Sequence, residues 1–204
     1  MVIDSYELFT QFIKEKHDTK PTLLLHACCA PCSTYVLELL NQFFDITIYF
    51  YNPNIYPASE MDFRYDEFQK LGKYKLVKAD YNPDDFYLAV KGLEAKPEGS
   101  ERCFKCYELR LENSAIYASK HGFDYFSTTL SISPYKNSNK LNEIGQKMAN
   151  KYQVKFLYPN FKKKEGYKRS IEICRQLELY RQDYCGCVFS YNEAQNRHNR
   201  SNEK

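Results

Sequence analysis

The sequence predicts an α/β fold: one domain on a five-stranded, parallel, doubly wound sheet, extended at its C-terminus by helix. Two observations carry that expectation. Short apolar runs alternate with segments of helical periodicity. No internal repeat, low-complexity tract or long linker divides the 204 residues. The sheet core is expected over residues 18–160. Residues 161–198 read as a helical segment carrying Cys185-Gly186-Cys187.

Each element has a local reason. Asp4 to Lys16 places Phe9, Phe12 and Ile13 at helical spacing and reads as an opening helix. Thr22 to Ala27, with Leu23, Leu24 and Leu25 in succession, suits a strand buried on both faces. Pro31 fits the first turn of the helix that continues through Phe43. Ile46 to Tyr51 is the second strand, closed by Asn52-Pro53-Asn54. Ser59 with Asp62 resembles a capping box for a helix to Leu71. Lys75 to Ala79 is the third strand, and Asn82 caps a helix from Pro83 to Val90. Arg102 to Lys120 is helical and Gly122 stops it; Asp124 to Leu130 is the fourth strand. Ser138 to Tyr152 is a helix, Val154 to Tyr158 the fifth strand, and Gly166 to Tyr180 another helix. The polar tail after Arg197 is expected to fray.

Composition narrows the class. Hydrophobic residues make up 43% and charged residues 27%, the balance of a folded globular chain. The excess of 29 basic over 26 acidic residues is too small to diagnose or exclude a nucleic-acid partner. No run approaches the roughly 18 apolar residues of a membrane span, so no membrane association is expected. Asp4, Glu7, Lys14, Glu15 and Lys16 break up the first twenty residues, where a secretory signal would need an apolar block. The expected compartment is a reducing cytoplasm.

In such a compartment, eight cysteines point to metal or redox chemistry. Seven are grouped: Cys28, Cys29 and Cys32; Cys103 and Cys106; Cys185 and Cys187. The first group follows the first strand, at the sheet edge where doubly wound folds bind ligands. Cys28 and Cys29 could be buried small hydrophobes. Cys29-Ala30-Pro31-Cys32 could be a dithiol activated at a helix N-terminus, as in thioredoxin-type motifs. Two thiolates from the first loop plus Cys103 and Cys106 suit zinc or a [4Fe–4S] cluster by ligand type. Adjacent cysteines are less usual for tetrahedral zinc, which tips the balance slightly to iron–sulfur. Gly186 allows Cys185 and Cys187 a tight, strained, reducible disulfide, with a structural pair or extra metal ligands as the plainer alternatives. Cys174 reads as core, and His26 as a hydrogen-bonded neighbour of the site.

Five segments, in order, resemble the epoxyqueuosine reductases of the QueH type. They are His26-Ala27-Cys28-Cys29-Ala30-Pro31-Cys32; Tyr51-Asn52-Pro53-Asn54-Ile55-Tyr56-Pro57 with Glu60 and Arg64; Arg102-Cys103-Phe104-Lys105-Cys106-Tyr107 with Arg110-Leu111; Ser127-Thr128-Thr129-Leu130 with Ser133-Pro134; and Asp183-Tyr184-Cys185-Gly186-Cys187. The resemblance implies an iron–sulfur oxidoreductase acting on tRNA with epoxyqueuosine in its anticodon loop. It would remove the epoxide oxygen as water and leave queuosine. It further implies a [4Fe–4S] cluster on Cys28, Cys29, Cys103 and Cys106, with Cys185 and Cys187 redox-active. A second, mononuclear iron is implied too, and Cys32 is the candidate ligand for it. The reaction needs two electrons, hence an external donor; a second metal could act as Lewis acid and the Cys185/Cys187 pair could store an electron.

The Rossmann-like scaffold also resembles ATP-pyrophosphatase folds, but the loop after the first strand has no glycine to cradle phosphate, so no ATP use is expected. Rival readings are a thiol–disulfide oxidoreductase on Cys29 and Cys32, and an RNA-binding module stapled by zinc through Cys28, Cys29, Cys103 and Cys106. For RNA contact, the sequence offers Arg102, Lys105, Tyr107 and Arg110 beside the second cysteine pair. It also offers Lys162-Lys163-Lys164 with Lys168 and Arg169, whose plainer reading is a solvated loop. Tyr51, Tyr56, Tyr107 and Tyr135 are candidates for base stacking.

Overall fold

The structure is a computed structural model. It describes residues 19–202 except Lys73; the opening helix expected over Asp4 to Lys16 lies outside these residues. Five strands form one parallel sheet: β1 (Thr22–His26), β2 (Asp45–Phe50), β3 (Lys75–Lys78), β4 (Tyr125–Thr128) and β5 (Lys155–Phe156), in the order β3-β2-β1-β4-β5. The doubly wound class expected from the sequence is therefore the one observed. Strand order reverses between β1 and β4, and the site develops there.

Three consecutive leucines are tolerated in β1 because both its faces are covered. Leu23 and Leu25 enter one apolar cluster and Leu24 the other, each fully buried. Helices α1 (Ala30–Leu40) and α6 (Gly166–Gln176) pack together on the first side. Helices α4 (Glu101–Lys120) and α5 (Ser138–Tyr152) pair on the second. Between β2 and α4 lie α2 (Ala58–Asp66), a 3-10 turn (Glu67–Leu71) and α3 (Pro83–Ala89); α7 (Val188–Asn202) ends the described chain. Asn82 caps α3 by accepting the Asp84 N–H at 3.3 Å. Among the described residues, no helix is long and apolar enough to cross a membrane.

One close approach fixes a glycine. A Cβ on Gly145 of α5 would collide with the ring of Phe156 on β5. Gly145→Ala is expected to destabilise the protein by about 1–3 kcal/mol through overpacking, despite alanine's better helix propensity. The shift in denaturant midpoint measures it.

Four local expectations need correction. The Ser59/Asp62 capping box is absent: α2 starts at Ala58 behind Pro57 with no side-chain cap, and Asp62 instead pairs with Lys78 at 2.9 Å. Helix α6 stops at Gln176 rather than Tyr180, because the chain turns back at Glu178 (φ 49°) to bury Leu179, whose N–H donates to the Cys174 carbonyl at 2.9 Å. The fourth strand ends at Thr128, whose hydroxyl accepts the Leu130 N–H at 3.2 Å and opens a 3-10 turn (Thr129–Ile132). The tail after Arg197 does not fray: α7 runs to Asn202. Contacts with Asp183 hold it, from Arg197 to the main-chain oxygen (3.3 Å) and His198 to the carboxylate (2.8 Å).

Candidate metal centre

The first thiol group is built by the turn from β1 into α1. Cys29 occupies the N-cap position in extended backbone (φ −167°, ψ 156°), and Pro31 starts the helix without wasting an N–H. That turn brings the sulfurs of Cys28, Cys29 and Cys32 within 4.8 Å of one another, with Cys28 and Cys29 3.7 Å apart. Cys28 and Cys29 are buried, Cys32 half-buried. So close a set shares its protons. Hydrogen bonds from the Cys28 and Cys32 thiols hold Cys29 well below the usual thiol range, while donating to its neighbours holds Cys32 well above it. Of the three, Cys29 is the one held toward the thiolate.

The second group comes from the first turns of α4 and from the loop before α7. Cys103 accepts the Gly99 N–H at 3.2 Å and packs on the apolar cluster that contains Cys28 and Cys29. Cys106 is buried with Phe86, Val90 and Cys187, and burial pushes its thiol up to about 12. Cys185 accepts a hydrogen bond from Lys136 Nζ at 2.8 Å. Cys185 and Cys187 are free thiols here, without a disulfide. Thiols at both positions act electrostatically on Cys103 and Cys106, so these four form one neighbourhood.

Two buried guanidinium groups join the thiol groups. Arg110, 2% exposed, donates to the Cys106 carbonyl (3.4 Å) and to Asn52 Oδ1 (3.3 Å), while Nη2 has no partner. No carboxylate pairs with it among the described residues. Burial works against its charge, and Cys106, Cys28 and Cys185 more than offset that cost. Arg64, 1% exposed, pairs with Glu60 at 2.7 Å, donates to the Cys185 carbonyl at 3.3 Å and sits 5.1 Å over the Tyr184 ring. Its Nη2 also lacks a partner. A buried cation needs a nearby anion. Here the neighbouring groups are thiols, which become anionic on binding metal, a donor set that suits a soft metal or an iron–sulfur cluster. The residues therefore fit such a group.

His26 serves this site without joining it. Burial, then the Arg110 charge, lowers its imidazole to about 3, so the ring is neutral. Nε2 faces the Tyr51 carbonyl at 3.1 Å and so carries the proton; Nδ1 accepts from the Thr128 hydroxyl at 2.9 Å. Asn52 Nδ2 donates to the Ala27 carbonyl at 2.9 Å, tying the thiol loop to Arg110. Cys174 lies in the core, as expected of an isolated cysteine.

The residues offered for RNA contact sit elsewhere than a surface reading implies. Arg102, Tyr107 and Arg110 are all buried. Arg102 donates to the Glu94 carbonyl at 2.7 Å and lies 4.2 Å over the Phe189 ring. Tyr51 is buried with its hydroxyl on Asp85, whereas Tyr56 and Tyr135 are exposed. Lys136 was missed by sequence reasoning. Its burial arises from a fold-back of the loop after β4, and nothing in Pro134-Tyr135-Lys136 distinguishes it from an ordinary surface lysine. A pocket of about 520 Å³ opens onto the thiols, lined by Cys28, Cys32, Lys136, Tyr184 and Cys185.

Fold and site together define an α/β protein that gathers cysteine thiols at the carboxyl end of a parallel sheet. The chain belongs to the epoxyqueuosine reductase QueH family, whose model matches residues 23–193. It is 46% identical over 185 residues to the epoxyqueuosine reductase QueH of Streptococcus pyogenes serotype M1, covering 86% of this chain and 72% of that one. It is 39% identical to the Thermotoga maritima protein of the same name, covering 87% of this chain and 94% of that one. Among solved structures, the U34-tRNA thiolase NcsA from Methanococcus maripaludis with its [4Fe-4S] cluster aligns with TM-score 0.51 at 14% identity, covering 92% and 67% of the two chains. A predicted subunit of tRNA methyltransferase from Methanocaldococcus jannaschii aligns with TM-score 0.52 at 12% identity over 75% and 74%. At such identities these two likenesses concern the fold alone.

Proposed function

We propose that the chain reduces epoxyqueuosine in tRNA to queuosine, using an iron–sulfur centre held by its own thiols. The observation that carries this reading is that Cys28, Cys29, Cys106 and Cys185, drawn from all three cysteine groups, act on the two buried cations Arg64 and Arg110, of which Glu60 pairs with Arg64 alone. Cys28, Cys29, Cys103 and Cys106 hold a [4Fe–4S] cluster in this proposal, and Cys32, at the pocket wall, is available to a second iron. Such a centre supplies electrons one at a time and can polarise an oxygen. Opening the epoxide to an alkene consumes two electrons and two protons and releases water.

The chain's own groups do the rest. Arg110 and Arg64 would offset the negative charge that the thiolates carry once they hold metal. The pocket admits one modified base beside Cys28 and Cys32. Lys136 holds its ammonium on Cys185, with burial opposing its charge and Cys185 and Tyr107 favouring it, and sits where a departing oxygen could take a proton. Cys185 and Cys187 are the redox-active pair. In this proposal the enzyme works in the cytoplasm and draws on an external electron donor.

Anaerobic purification tests the reading. About four irons per chain or more, broad absorbance near ~400 nm, and conversion of epoxyqueuosine tRNA are expected. One tightly held zinc with no colour would overturn it. Lys136→Met and Cys185→Ser are each expected to slow turnover about 10–100-fold with iron content unchanged. The double variant should be no slower than the worse single one, because the two groups act as one unit.

A further inference from the structure

The fold withdraws several of the basic residues that RNA could meet. Arg102 and Arg110 are interior. Of the basic run on the C-terminal side, Lys168 pairs with Glu165 (3.5 Å) and Arg169 with Glu38 (2.8 Å) and Glu172 (3.4 Å). On α5, Lys147 and Lys151 are tied to Glu108 and Glu112 of α4. The mouth of the thiol pocket is different.

Five charged side chains line that pocket: Lys136, Arg181 and Arg197 against Glu98 and Asp183. Both carboxylates already face another cation, Glu98 meeting Lys136 at 3.6 Å and Asp183 meeting His198 at 2.8 Å. The two arginines have no carboxylate partner among the described residues. Arg181 donates to the Cys174 sulfur and the Tyr167 hydroxyl, each at 3.5 Å, and its guanidinium lies 5.8 Å from the Tyr167 ring centroid. Arg197 donates only to the main-chain oxygen of Asp183, at 3.3 Å. Tyr135, on the same wall, is 78% exposed, so its ring faces are open to a partner. The pocket's volume suits one extruded nucleobase with its ring substituent.

We propose that Arg181 and Arg197 grip backbone phosphates on either side of the nucleotide that enters the pocket, and that Tyr135 stacks on an adjacent unpaired base. The occupant is a single-stranded RNA loop. This rests on the reading that epoxyqueuosine tRNA is the substrate. Two arginines with free hydrogen-bond capacity supply the phosphate contacts, and an exposed ring beside a pocket supplies the stacking platform that looped RNA uses.

The test uses the iron-loaded protein with epoxyqueuosine tRNA, measuring affinity across a salt series alongside turnover. Arg197→Gln and Arg181→Gln should each weaken binding and flatten the slope of log affinity against log salt by about 0.7. Tyr135→Ala should weaken binding about tenfold with the slope unchanged, and Tyr135→Phe should restore it. Lys168→Gln should change neither quantity. Iron content and thermal midpoint are followed in every variant. Arg197 makes no side-chain bond to the core, so its variant remains informative even if Arg181→Gln destabilises the fold. Wild-type affinity and slope in Arg197→Gln, with the wild type turning over, would overturn the surface alone. A wild type that binds the tRNA with these slopes but never converts it would overturn the reaction instead.

Discussion

Cys29→Ser is expected to leave a folded chain that holds little iron, has lost its absorbance near ~400 nm and converts substrate at background rate. Cys29 is 1% exposed, sits at the N-cap of α1 and is the member of the triad held toward the thiolate. Serine keeps a hydrogen-bonding group of similar shape, so the fold should lose only about 1 kcal/mol. What serine cannot supply is a soft thiolate. Cys174→Ala is the contrasting case. That sulfur is equally buried, but in the core beneath α1 and α6, so the variant should lose stability while keeping iron and activity. Iron analysis and thermal melting of the two variants measure the contrast, and full iron loading of Cys29→Ser would remove Cys29 from the centre.

Arg110→Met is expected to have opposite effects on the two forms of the protein. In the metal-free form, Cys106 is held protonated by burial at neutral pH, and Arg110 is a buried cation with one nitrogen unpartnered. Replacing such a group by an apolar side chain of similar length is neutral or stabilising. In the iron-loaded form the thiolates are anionic, and removing their counter-charge should cost about 3–5 kcal/mol. The difference in melting temperature between loaded and empty protein should therefore shrink sharply, with the centre's reduction potential moving negative. Equal losses in both forms would show that Arg110 is only a packing residue.

Much of the fold was legible because it depends on local patterns. The unbroken Leu23-Leu24-Leu25 run could only be a strand covered on both faces, and the position of Pro31 marked the helix that follows. The cysteine spacing marked the site for the same reason: it places sulfurs at the end of β1 and in the first turns of α4. Errors appeared where tertiary contacts decide. Ser59 and Asp62 have the right spacing for a cap, yet Lys78 from β3 takes the carboxylate. The end of the last helix, after Arg197, reads as a polar tail, but Asp183 anchors it from another loop. Charge was the hardest property to place. Arg102 and Arg110 look like surface groups in sequence, but Arg102 is buried over the Phe189 ring and Arg110 beside Cys106, Cys28 and Cys185. Lys136 gave no signal, because its partner Cys185 is 49 residues away.

Arg64 reaches both ends of the site at once. The Cys29 thiolate acts on it from one side; on the other it donates to the Cys185 carbonyl, and a side chain on Gly186 would press on its Nη1 at 2.9 Å. Whatever changes the charge at Cys29 must alter the grip on the loop before α7. Thermodynamic linkage makes that influence mutual. If metal at the centre strengthens the grip of Arg64 on that loop, a partner that pulls on the C-terminal segment would loosen the metal by the same free energy.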